Sequence, residues 1–203
     1  MTSIIATIQE LLVDANRRGM SAKKGKESLK WLAKKSRSLK VTQKDVLNTT
    51  KDRMKETTQL SIGKLYFFTY DPKTKDKLPY YDRFPCVFIF NITPKLIYGI
   101  NMHYLPYKER AILMDELYKV ETNARIPNNK KLQLSWEILK TFTNFPLVKP
   151  CVKSYLPAHF RSRLINVPYE EWGISVFLPV TAFTKKNTNE VWQESKKIIN
   201  KSR

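Results

Sequence analysis

A chain of 203 residues, 42% hydrophobic and 12% aromatic, carries enough apolar surface to bury a core, which excludes a disordered polypeptide. Its 37 Lys and Arg against 18 Asp and Glu leave a net charge of +19, an excess that repels itself in a compact state and is relieved by a polyanion, nucleic acid before an acidic protein or an anionic membrane surface. No apolar run reaches the ~18 to 20 residues needed to cross a bilayer, and Gln9, Glu10 and Asp14 interrupt Thr2 to Ala15 too often for a secretory leader, so the expectation is a soluble protein, intracellular or assembled inside a cell, without membrane contact.

Ile4, Ile5, Ile8, Leu11 and Leu12 recur at helical spacing and predict an amphipathic helix, capped by Thr2 or Ser3 and ended by Gly19. It docks either on the body of this chain or on a partner. The next segment is strongly cationic: between Arg17 and Lys40, ten basic residues are opposed only by Glu27. Lys23, Lys26, Lys30, Lys34 and Arg37 fall at spacings of 3, 4, 4 and 3, one continuous ridge on a helix, with Leu29, Leu32, Leu39 and Trp31 on another face. A solvated face usually alternates signs. A ridge of one sign suits phosphates lying along it.

Thr42-Gln43-Lys44-Asp45 reads as a capping box, and Val46, Leu47, Thr50 and Met54 continue at helical spacing, predicting a helix to about Gln59. Residues 1–60 thus form a basic helical N-terminal region and residues 61–203 a mixed α/β body. Between Gly63 and Pro106, aromatic and β-branched runs separated by Pro-, Asp- and Gly-bearing breaks predict three or more strands, the nucleus of the fold. Pro106 opens a helix in which Ala111, Ile112, Leu113, Leu117 and Val120 face the sheet, and a further helix is expected around Leu134 to Phe142.

Lys149 to Arg163 is a second basic stretch, interleaved with aromatics. Lys153, Arg161 and Arg163 suit phosphates, while Tyr155 and Phe160 serve either packing or base stacking, packing being the commoner fate. Ile174 to Pro179 reads as a strand, and Thr188 as the cap of a terminal helix carrying Val191, Trp192, Ser195, Ile198 and Ile199.

The chemistry-bearing residues are sparse. Cys86 and Cys151 are far apart in apolar surroundings and are expected reduced and buried, and with His103 and His159 they show no metal-ligand spacing. The five glycines are scattered singly, so no phosphate-cradling loop is present and no cofactor is expected. Asp71, Asp76 and Asp82 are the only dense acids of the body, as a metal-dependent nuclease would need, yet they sit among turn formers. An Asx turn at Asp71 and an ion pair of Asp82 with Arg83 or Arg110 are the structural alternatives. His103 reads as a core histidine. The expectation is a protein without catalytic residues.

Tyr66-x-Phe68-x-Tyr70-Asp71-Pro72-Lys73, Leu78-Pro79-Tyr80-Tyr81-Asp82-Arg83-Phe84-Pro85 and Gly99-Ile100-Asn101-x-His103-Tyr104-Leu105-Pro106 resemble proteins of T4-like tailed phages and cyanophages described as DNA end protectors. So do Lys149-Pro150-Cys151-x-Lys153-x-Tyr155-Leu156, Arg161-Ser162-Arg163 and the stretch from Trp172 to Phe183, so that the resemblance spans roughly residues 60–185. It implies a virion protein that binds the ends of packaged linear double-stranded DNA, completes the filled head, and shields those ends from exonuclease after injection. It would be found in the virion, and in the host cytoplasm during assembly and after injection. The resemblance assigns no individual residue.

Together these readings predict an α+β protein: basic N-terminal helices, then a small, strongly bent antiparallel sheet flanked by helices, an SH3-type barrel being one form it could take. The DNA-binding residues read from charge are Lys23, Lys26, Lys30, Lys34, Arg37, Lys153, Arg161 and Arg163, and the expected partners are double-stranded DNA ends, head, neck or other virion proteins, and further copies of the chain. The alternatives are a structural neck, tail or baseplate component that binds no free DNA, and a nuclease.

Overall fold

The computed structural model describes residues 26–48, 55–57, 59–121 and 146–202, together with residues 11, 13, 14, 17 and 18. The aromatic runs of the central stretch form strands because their side chains find apolar partners on both sides of one sheet. β1 (Lys55–Thr57), β2 (Leu65–Phe67), β4 (Cys86–Ile92), β5 (Ile97–Asn101), β6 (Val152–Tyr155) and β7 (Leu164–Val167) pair antiparallel in the order β1-β7-β2-β4-β5-β6. β3 (Tyr81–Asp82) and β8 (Phe183–Thr184) make a separate two-stranded pairing. Among the described residues β1 and β6 are the edges of the sheet.

Alternation along each strand divides the interior in two. Leu65, Phe67, Cys86, Phe88, Ile100 and Ile165 point to the larger core, where the helices lie. Tyr66, Phe68, Val87, Ile89, Ile97, Tyr155 and Leu164 point to a smaller one on the opposite face. Burial on both faces explains why the strands read as continuous apolar runs rather than as alternating ones. Gly99 in β5 is required by this packing: a Cβ there would lie 2.1 Å from Val87 Cγ1 and 2.8 Å from the Phe88 carbonyl oxygen.

The helices covering the larger core are α1 (Lys26–Lys35), α2 (Gln43–Asn48), α3 (Tyr107–Glu121), α4 (Trp172–Ser175) and α5 (Thr188–Lys201). Leu29, Leu32 and Ala33 of α1 and Val46 of α2 belong to the same cluster as Phe88, Met114 and Phe177, and α1 lies against α3. The capping box at Thr42 forms as expected: Thr42 N–H and its hydroxyl donate to Asp45 Oδ2 at 2.8 and 2.6 Å, and Asp45 N–H returns to Thr42 Oγ1 at 3.2 Å. Cys86 and Cys151 are free and buried, and burial pushes both thiols up. Among the described residues no helix is long and apolar enough to cross a membrane.

Four local expectations are corrected. The helix expected to run from Thr42 to about Gln59 is described over Gln43–Asn48 and does not reach Gln59, because 55–57 is a strand pairing with β7; Thr50 and Met54 lie outside the described residues. Ile174 to Pro179 forms no strand: its start lies in the helical turn α4, and Ile174, Val176, Phe177 and Leu178 are buried, an apolar run that periodicity cannot assign to helix or strand. Ile112 faces solvent because Arg110, Leu113, Met114, Leu117 and Tyr118 make the buried stripe of α3. The cap of α5 is Asn187, which exchanges side-chain and backbone bonds with Glu190 at 3.0 and 2.7 Å. Val120's side chain, the Ile4–Leu12 stripe apart from Leu11, Lys23, and the helix expected at 134–142 lie outside the described residues.

Candidate nucleic-acid interface

The cationic row sits where phosphates could reach it. Lys26, Lys30 and Lys34 are exposed on α1, on a face turned toward solvent while Leu29, Leu32 and Ala33 anchor the helix on the core. Among the described residues none of the three enters an ion pair. The α-helix ends at Lys35 and a 3-10 turn carries Ser36 to Ser38, so Arg37 leaves the helical row. Its guanidinium lies 5.0 Å from the centre of the Tyr107 ring, against the body of the protein.

The second basic stretch divides. Arg161 and Arg163 are exposed, and Arg161 Nη2 stands 3.9 Å from Asp71 Oδ2, beside the Lys75–Asp71 pair at 3.2 Å. Lys153 instead enters a groove of about 510 Å³ at the β6 edge. One wall is the strap from Pro72 to Tyr81, the other is Val152 to Leu156, and Asn101 and Tyr104 line the base. The Lys153 ammonium rests 4.1 Å from the centre of the Tyr104 ring, and burial lowers its pKa. Tyr104 is held in turn by the edge of Phe183, with ring centres 4.9 Å apart, and by Tyr80 at 6.0 Å.

Two devices fix the walls. Lys185, in the left-handed region at φ 71°, sends its ammonium to the carbonyls of Lys75, Asp76 and Leu78 at 2.9, 2.9 and 2.8 Å and so ties the strap down. On the other side Tyr155 packs edge-on to Phe68 and Tyr70 at 5.3 and 5.0 Å, and Phe160 closes over Phe68 at 4.6 Å. Tyr155 and Phe160 therefore serve packing.

Beneath the groove lies a buried polar cluster. Asp82 Oδ2 accepts from His103 Nδ1–H at 2.7 Å and from the Asn101 amide at 3.2 Å, and Asp82 Oδ1 accepts from Phe84 N–H at 3.0 Å and Ala182 N–H at 3.4 Å. Burial acts to raise the Asp82 carboxyl, but His103 and these donors together hold it below its ordinary value. Burial, joined by the charge of Arg110, pushes the His103 imidazole down and outweighs the pull of Asp82. Arg110 is itself fully buried, donating to the carbonyls of Leu105, Val176 and His103 at 2.7, 2.7 and 3.2 Å.

His103 is thus a core residue, as expected, but in the 3-10 turn Met102–Tyr104 that follows β5. Asp82 pairs with it, not with Arg83 or Arg110. Asp71 is tied to Lys75 and Arg161 while Asp82 is buried against His103, so these two acids have separate structural partners. Sequence reasoning missed Lys73, Tyr80, Tyr81 and Tyr104 as groove-lining residues. The signal lay in the unusual Leu78–Pro85 octapeptide, which carries two of them.

A sequence model described as phage T4 terminal DNA protecting protein matches residues 6–201, nearly the whole chain. The match takes in the basic N-terminal segment, beyond the 60–185 span of the motifs. No curated protein and no solved structure matches.

Proposed function

Since the chain belongs to the phage T4 terminal DNA protecting protein family, we propose that it binds the ends of linear double-stranded DNA and shields them from exonuclease. In this reading it is a component of the virion that completes the filled head, present in the host cytoplasm during assembly and after injection. The observation that carries the reading is the row Lys26, Lys30 and Lys34, exposed, of one sign, and braced on the core by Leu29, Leu32 and Ala33. Such a row neutralises phosphates without regard to base sequence. Lys23, preceding it, and Arg37, Arg161 and Arg163 would add contacts. Protection then requires occupancy of the end and no bond-breaking chemistry by the protein.

The test compares linear DNA with covalently closed circular DNA of the same length, each incubated with purified protein and the linear form then challenged with exonuclease. Survival of linear DNA at about one or a few protein molecules per end, with weak binding to circles, is the expected result. Equal binding to both without protection would reduce the protein to a general DNA binder. Absence of binding would favour a structural component of the particle.

A further inference from the structure

A row of lysines meets the same phosphates along the middle of a duplex as at its end, so it gives affinity without preference for ends. Preference needs a second site that only an end can fill. We propose that the groove between the 72–81 strap and β6 seats the terminal nucleotide of the DNA, with its phosphate at Lys153 and its base among the tyrosine rings of the walls. The inference rests on the DNA-end reading and names the part of the end that is recognised.

Three features fit this occupant. The groove, about 510 Å³, has the size of a small-molecule site: one nucleotide enters it, and a duplex does not. The cation that its β6 wall sets over the Tyr104 ring is uncompensated, because among the described residues Lys153 forms no ion pair. A partly desolvated charge of this kind is relieved by an anion. The one carboxylate in the lining, Asp82, is already engaged by His103, Asn101, Phe84 and Ala182, while Lys73 adds a cation at the exposed rim.

The walls offer Tyr80 and Tyr81, both half-buried, beside Tyr104. Tyr81 stacks on no other ring among the described residues, and stacking on a tyrosine face suits every base alike. An internal nucleotide, continued by chain on both sides and paired in the duplex, cannot enter between the strap and β6. A frayed terminal one can.

The experiment uses the full chain and duplexes carrying a photoreactive halogenated deoxyuridine at the 5′ terminus, at the 3′ terminus, or internally, with and without a 5′-phosphate. Crosslinks from a terminal position should map to peptides containing Tyr80 and Tyr81, Tyr104, or Lys153 to Tyr155, and the terminus that gives them identifies the strand recognised. Terminal crosslinks confined to other peptides would overturn the proposal. In parallel, Lys153→Gln and Tyr81→Ala should each raise the protein needed for exonuclease protection by about tenfold, the weight of one charge-assisted or stacking contact. They should also collapse the preference for linear over circular DNA. Protection by both variants equal to the wild type would sink the groove while leaving the end-binding reading intact. Failure of the wild type itself to protect would remove both. The crosslink map needs no variant, and so holds independently of any effect on folding.

Discussion

His103 Nδ1 lies 2.7 Å from Asp82 Oδ2 with both side chains excluded from water, while His103 Nε2 has no hydrogen-bond partner among the described residues. A neutral ring donating from Nδ1 accounts for this arrangement, because a proton on Nε2 would bury an unsatisfied N–H close to Arg110. The folded pKa of His103 is below its ordinary value of 6.5, so as pH falls from there the unfolded chain takes up a proton that the folded chain does not, and stability falls. Asp82, depressed below 3.8, acts in the same direction: its stabilisation is present above that value and is lost as pH falls through the folded pKa.

His103→Gln, which can still donate to Asp82, should cost about 1–3 kcal/mol and flatten the part of the pH dependence that begins near 6.5. His103→Leu should cost more, about 3–5 kcal/mol, by leaving a buried carboxylate short of a donor. Urea unfolding midpoints from pH 5 to pH 8 check both; an unchanged slope in the Gln variant would contradict the neutral assignment.

Arg110 satisfies three carbonyls from the segments around His103, Leu105 and Val176, and so joins the 3-10 turn to the end of α4. A lysine ammonium has neither the reach nor the fork to meet all three. Arg110→Lys is expected to lose about 3–5 kcal/mol, equivalent to about 6 to 20 °C in Tm for a chain of this size. Arg161→Lys, an exposed control, should change stability by no more than about 0.5 kcal/mol. Thermal melts followed by circular dichroism separate the two.

Gly99 is held close to Val87 and to the Phe88 backbone. Gly99→Ala should therefore destabilise by about 1–3 kcal/mol through overpacking, although alanine is otherwise compatible with a strand. Chemical denaturation is the measurement. A neutral result would mean that the β4–β5 pairing yields more readily than its geometry indicates.

If Lys30 and Lys34 track phosphates, removing their charges changes the salt dependence of DNA binding as well as its strength. The double variant Lys30→Gln, Lys34→Gln should lower the slope of log K against log salt by about 2, since each phosphate contact contributes about 1. Titrations at several salt concentrations provide the slope. An unchanged slope would take α1 out of the interface.

What the sequence determined by itself was governed by local or additive physics. Net charge sums over the chain, helical spacing put Leu29 and Leu32 on a different face from Lys26, Lys30 and Lys34, and Thr42 with Asp45 specified a cap within four residues. The aromatic runs from Gly63 to Pro106 were legible as strands for the same reason: each needs only its own residues. Tertiary structure decided everything that depends on burial from several sides at once. Ile174 to Leu178 became a helical turn and bend, because an apolar run surrounded by core has no exposed face from which to read a period. Asp82 took His103 from across the fold in place of a neighbouring arginine, and Lys153 turned onto Tyr104 while Arg161 and Arg163 stayed outside. Those choices depend on which surfaces meet when the sheet closes on its helices, and spacing along one chain does not encode that.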